Sequence, residues 1–282
     1  MLVIGVLWIA SVLTIDRKGS SFGTTTQVVI GVFTWCLLFA VGALESRHVR
    51  AQVAVVVVYA TIIEYVFSGW LHTYVYRLDH VPLYVPPGHG LVYGAAITMA
   101  RTPTFKRYSR HLVAMMLVGA GGWAIWGVTL SPRSDWLGFF WFACMVLWVR
   151  LSKTPLVFVG AFIVVSYLEI MGTSMGVWAW GTHDPVWHYF TIGNPPSGAA
   201  GGYCWFDTAA LLLSPYLLRK WDAWRKIPIE DVYDHSRGQH PHDTSGLGHD
   251  AKFRSPRKDV ESGFVEQPVA AEQAASATTP LT

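Results

Sequence analysis

Up to about Leu218 the chain alternates apolar runs with short polar breaks, and beyond that point it turns hydrophilic. Eight apolar runs can be delimited, at roughly 2–15, 27–44, 52–76, 88–100, 112–130, 136–149, 155–180 and 198–218. The longer ones reach the about 17–25 residues that carry a helix across a hydrocarbon layer. No stretch shows the ten-residue alternation of a membrane barrel, and a lone segment in lipid must satisfy its own backbone hydrogen bonds. The pattern therefore predicts an all-α fold: a polytopic membrane bundle of about eight transmembrane helices. Because the fourth and sixth runs are short, seven is the alternative count. The first run lacks a basic lead-in and an Ala-x-Ala-like cleavage site, so it is expected to be a true first helix and not a signal peptide.

Two segments resemble one another. Glu64 is followed by Ser68-Gly69, by Tyr74-Val-Tyr76 and then by Pro86-Pro87; Glu169 is followed by Gly172 and Gly176, by Trp178-Ala-Trp180 and then by Pro195-Pro196. Three predicted spans separate the two Glu-bearing ones, so both would run in the same direction. The expectation is a four-plus-four parallel repeat, with halves at roughly 1–110 and 111–226 and a pseudo-two-fold axis along the membrane normal.

Charge supplies an orientation. The net charge is +3, and Lys and Arg gather in 47–50, 101–110, 150–153 and 219–226, while the alternate loops 77–87, 131–135 and 181–197 are nearly free of them. By the positive-inside rule this predicts a multi-pass protein of the cell membrane with both termini cytoplasmic; Arg17 and Lys18 conflict with it. Residues 227–282 are rich in Ser, Pro, Ala, Gln and charge, and are expected to form a disordered cytoplasmic tail whose four histidines are a solvated polar feature. Cys36, Cys144 and Cys204 are scattered through apolar runs, which argues against a disulfide framework or a zinc site.

Only 14% of residues are charged, so a carboxylate inside a span stands out. Placing one at a helix centre costs about 2.5–3.5 kcal/mol, and such residues are functional candidates by default. Glu64, Glu169 and Asp207 are the candidate catalytic acids, each expected near mid-membrane, where removal from water favours the neutral form. If the helices continue to Tyr76 and Trp180, Glu64, Ser68 and His72 share one face, as do Glu169, Thr173, Gly176 and Trp180. The candidate substrate-binding residues are His72, Tyr74, Tyr76, His89, Trp178, Trp180, Asn194, Tyr203 and Trp205. Other tryptophans, among them Trp8, Trp70, Trp141 and Trp221, are expected in the interfacial belts. A neutral carboxylic acid beside aromatic faces suits one chemistry: the acid protonates an alkene and the π faces stabilise the cation. No metal site and no cofactor are expected, since the chain has no His-Glu-x-x-His, phosphate-binding glycine loop or dinucleotide fingerprint.

The pattern Glu169-x-x-Gly172-x-x-x-Gly176-x-Trp178-x-Trp180 resembles the Glu-Gly-Gly-aromatic-x-aromatic segment of the carotenoid hydratase family. Tyr74-x-Tyr76 with Val81-Pro82 and Val85-Pro86 is similar to that family's aromatic pair and proline-bearing turn. Trp replaces the usual Tyr pair in the second half, and the segments around Asn194 and Tyr203–Asp207 have no counterpart. The resemblance implies a polytopic enzyme acting on an isoprenoid-type lipid, with Glu169 and Glu64 as acid or base. The first reading of the residues is an enzyme that adds water to, or isomerises, such a lipid, with Glu169 as proton donor and Glu64 or Asp207 as base. Two other readings remain open: a proton-coupled carrier or lipid-binding protein, and a non-catalytic subunit of a membrane assembly. Membrane lipid and an apolar ligand are the expected partners, and nucleic acid is not one.

Overall fold

The computed structural model describes residues 2–225; the predicted tail lies outside them. Among the described residues the regular secondary structure is helical apart from one short ribbon. The helices are α1 (Leu2–Ile15), α2 (Thr24–Ala43), α3 (Arg47–Glu64), α4 (Val85–Arg101), α5 (Pro103–Arg107), α6 (Ser109–Thr129), α7 (Trp136–Leu151), α8 (Pro155–Ser174) and α9 (Ala199–Arg225). The eight long ones fall on the eight apolar runs. By length and composition, four are able to cross a membrane: α2, α3 with the turn that follows it, α6 and α8.

Local chemistry sets the helix ends. Ser46 caps α3 by accepting from the Val49 N–H, and Asp135 caps α7 by accepting from Gly138. Proline opens α5 and α8 at their first turns and stands at Pro86-Pro87 in the first turn of α4, where its missing N–H costs nothing.

The expected helical continuations to Tyr76 and Trp180 do not form. After Glu64 the third helix widens into a π turn, Tyr65–Trp70, and stops at His72, which takes a positive φ of 52°. The helix α8 stops at Ser174, and Gly176 follows with φ 65°. Two strands come next, β1 (Tyr74–Tyr76) and β2 (Trp178–Trp180), paired antiparallel with Tyr74 opposite Trp180 and Tyr76 opposite Trp178. Residues two apart diverge on a helix but share one face of a strand, and in each strand both aromatics are buried while the residue between them is exposed. The two glutamates thus lie about 9 Å or less from their helix ends at 1.5 Å per residue, and not about twice that depth.

Nearly every residue of α4 is buried, and α1, α2, α3 and α8 all pack on it. Small residues permit these approaches. A Cβ on Gly160 of α8 would come within 2.8 Å of the Ala96 backbone of α4, and Gly201 of α9 lies against the Trp141 backbone of α7 in the same way.

The connection between α1 and α2 is pinned to the ribbon end. Asp16 is almost fully buried and pairs with the Arg77 guanidinium, whose Nε donates at 2.9 Å. It also accepts from Gln27 Nε2 at 2.7 Å and from the Tyr84 hydroxyl. Backbone bonds from Lys18 to Met175 and from Arg77 to Val177 complete the clasp.

The loop after β2 is organised by two aspartates. Asp135 accepts from Gly193 N and from the N–H and hydroxyl of Ser197. Asp184 accepts from the backbone N–H groups of Val186, Trp187, His188 and Phe190. What burial Asp184 has works against its charge, but these four donors outweigh it and hold its carboxyl below the usual carboxylate range. A group depressed in the folded state contributes order above its unfolded pKa and loses it as pH falls through the folded one. Proteolytic nicking within 181–193 is therefore expected to stay slow down to about pH 4, the ordinary range of a free Asp, and to rise only below it. Asp184→Ala should nick readily at neutral pH. Equal nicking of the two proteins at neutral pH would contradict this role of Asp184 in the loop.

Candidate active site

Two glutamates, one at the end of α3 and one near the end of α8, face a common cavity of about 300 Å³. Glu64 is 6% exposed and Glu169 5%. Glu64 Oε2 accepts from the Tyr74 and Tyr76 hydroxyls, each at 2.8 Å. Its Oε1 lies 2.8 Å from His89 Nε2, supplied by the first turns of α4. Glu169 Oε2 accepts from the indole N–H groups of Trp178 and Trp180, each at 3.1 Å. The two sites have the same plan: a carboxylate on a helix, and an aromatic pair on the strand that follows, folded back so that both polar tips reach one oxygen. The antiparallel ribbon then sets the four rings side by side, with Tyr74 and Trp180 centroids 4.5 Å apart and Tyr76 and Trp178 6.1 Å apart.

The two carboxylates differ in their remaining valence. Glu64 is held through both oxygens. Glu169 Oε1 accepts no hydrogen bond from the described residues, which leaves that oxygen for a ligand. His89 is buried, stacks on Tyr203 at 5.2 Å, and has no partner for Nδ1 among the described residues. The rest of the lining is mostly apolar and aromatic, and includes Trp8 from α1 and Trp141 from α7.

Nine of the residues singled out in the sequence line this cavity: Glu64, Glu169, Tyr74, Tyr76, His89, Trp178, Trp180, Tyr203 and Trp205. The other three stand elsewhere. His72 is exposed in the turn after the π segment, with Nδ1 3.0 Å from the Ser68 carbonyl. Asn194 is exposed, and its side-chain oxygen accepts from Trp180 N at 3.0 Å, so it holds β2 from outside. Asp207 is buried in α9 with Oδ2 unpartnered among the described residues, and it is not part of the lining. Trp8 and Trp141, expected in the interfacial belts, stand in the cavity lining. Trp8 donates to Thr34 at 2.9 Å, and the Trp141 ring packs 5.7 Å from that of Trp180. Nothing in single-sequence spacing separates such a tryptophan from a belt residue. Trp70 and Trp221 are exposed.

Gly172 has a specific duty here. A Cβ at this position would overlap the Trp178 ring, so the indole reaches Glu169 only because residue 172 has no side chain. Gly172→Val is expected to push Trp178 off the carboxylate and to cost about 1–3 kcal/mol of stability, as overpacking does. An unchanged thermal midpoint for the purified variant would contradict this packing.

The described residues bring no three potential metal ligands together. Comparisons with family models, with curated proteins and with solved structures find no match to this chain.

Proposed function

We propose that this chain is an integral membrane enzyme that adds water to, or isomerises, an isoprenoid-type alkene by acid–base chemistry in the Glu64–Glu169 cavity. The observation that carries the reading is the shared, mainly apolar cavity, in which one carboxylate keeps a free oxygen while the other is clamped beside a histidine. Glu169, protonated on Oε1, gives its proton to the less substituted alkene carbon. A C–H bond forms and the adjoining carbon becomes a cation. The faces of Tyr74, Trp178 and Trp180 stabilise that charge, an interaction worth about 2 kcal/mol or more once water is excluded. Water then adds through oxygen, and the Glu64–His89 pair takes the proton it sheds. Return of that proton to Glu169 closes the cycle, with alkene and water converted to alcohol. Loss of a neighbouring C–H proton instead of water capture gives an isomer.

Resemblance to carotenoid hydratases in the Glu-Gly-Gly-aromatic segment agrees with this chemistry. The proposed frame is a duplicated four-helix unit with eight spans. Its support is the repeated carboxylate-plus-aromatic-pair plan and the antiparallel ribbon, whose register relates Tyr74 to Trp178 and Tyr76 to Trp180 by a local two-fold.

The test is a mass-spectrometric comparison of membrane lipids from cells with the protein, cells without it, and cells carrying Glu169→Gln. One apolar alkene should accumulate in the last two while its hydrated or isomerised product disappears. Three identical profiles would overturn the enzyme reading and leave binding or carriage of a lipid as the function.

A further inference from the structure

A second, larger cavity of about 490 Å³ lies between α2, α3 and α4, and Leu91 belongs to the walls of both cavities. We infer that this second cavity holds the distal, non-reacting part of the same ligand, so that the protein takes a long linear hydrocarbon whose far end extends past Leu91. The inference rests on the proposed reading of the carboxylate cavity as a site for an apolar alkene, and it adds the shape and length of that ligand.

Three observations lead to this occupant. The wall is apolar along nearly its whole length, and glycines shape it: Gly5, Gly42, Gly90 and Gly94 all contribute. At Gly5 and Gly42 an added Cβ would meet nothing within 4 Å, so both positions border open space. Next, the two cavities share Leu91 in their walls. Leu38, Val57 and Leu91 form one small buried cluster, and leucine side chains change rotamer readily compared with backbone. Last, the cavity has a lateral edge, where Phe39 and Val58 are 68% and 62% exposed; a hydrocarbon in the membrane can enter there without crossing water.

A phospholipid fits the same space less well. Of the cations at the polar end, Arg101 pairs with the Glu45 carboxylate at 3.0 Å, and Arg50 donates to the Glu45 carbonyl at 2.6 Å. Arg50 is the one of the two without a carboxylate partner among the described residues.

The experiment uses the purified full-length chain in detergent with two probes, the short isoprenoid alkene farnesene and the long one squalene, and reads the thermal midpoint as each is titrated. Gly42→Phe projects a ring into the second cavity from a position where a Cβ meets nothing within 4 Å, and Gly42 is not part of the carboxylate cavity's lining. Both probes should stabilise the wild type. Gly42→Phe should still be stabilised by farnesene but need about tenfold more squalene or beyond. If Gly42→Phe responds to squalene as the wild type does, the second cavity is not the tail site, and the carboxylate-cavity reading stands. The tail site is equally ruled out if farnesene stabilises the wild type and squalene does not. A wild type stabilised by neither probe removes the apolar-ligand reading and this inference with it.

Discussion

Glu169→Gln is expected to reduce turnover about a hundredfold or more while the folded protein survives. Glutamine keeps the shape of the side chain, and its carbonyl oxygen can accept the two indole N–H bonds that Glu169 Oε2 now accepts. What it loses is the transferable proton on the other oxygen, and positioned proton transfer is worth roughly 10²–10⁴-fold. The thermal midpoint should therefore move little while the rate collapses. A variant that unfolds would assign Glu169 to the scaffold, and one that turns over normally would remove it from the chemistry. Glu64→Gln probes the opposite balance. Glu64 is held by Tyr74, Tyr76 and His89, so its loss should be felt in both stability and rate.

The largest expected effect on stability lies away from the cavity, at Asp16. Its carboxylate is 2% exposed and serves Arg77, Gln27 and Tyr84 together. Asp16→Ala would leave the Arg77 guanidinium, itself only 11% exposed, without its counter-charge in a dry setting. Removing one partner of a buried pair typically costs about 3–5 kcal/mol, far more than the pair's net worth, because the orphaned charge remains. Denaturant unfolding of the purified chain should show a loss of that size, with a smaller one for Asp16→Asn. A loss below about 1 kcal/mol, the range of an exposed pair, would mean that the clasp is wetter than its burial indicates. Since α1 contributes Trp8, Ile9, Val12 and Leu13 to the cavity wall, loosening Asp16 should also weaken ligand binding.

Helix positions were largely legible in the sequence, because eight apolar runs separated by charge and proline leave few other choices. The ends of the third and seventh runs were not. A four-residue stripe through Glu64, Ser68 and His72 reads as continuous helix. The π turn at Tyr65–Trp70 and the positive φ of His72 break it, and neither follows from hydropathy. The sequence did hold a signal for the strands: Tyr-x-Tyr and Trp-x-Trp have period two, not three or four. The pairing of Glu64 with its own aromatic pair, and of Glu169 with its own, was implicit in the repeated motif. That both motifs meet in one cavity depends on the antiparallel ribbon, a long-range contact that local spacing does not encode. Asp207 looked equivalent to the glutamates because composition records only a carboxylate in a span. It stands one turn beyond Tyr203 in α9 and outside the cavity lining, and a single helix pattern does not show where the cavity ends.

The central claim is that Glu169 delivers a proton to carbon. The direct measurement is incubation of membranes containing the protein, in heavy water, with the alkene that accumulates in Glu169→Gln cells. The product formed by the wild type should carry deuterium on the carbon beside the one that gains oxygen or shifts its double bond, and Glu169→Gln membranes should form almost none. Product that carries no deuterium, or equal product from both proteins, would contradict proton transfer from this residue.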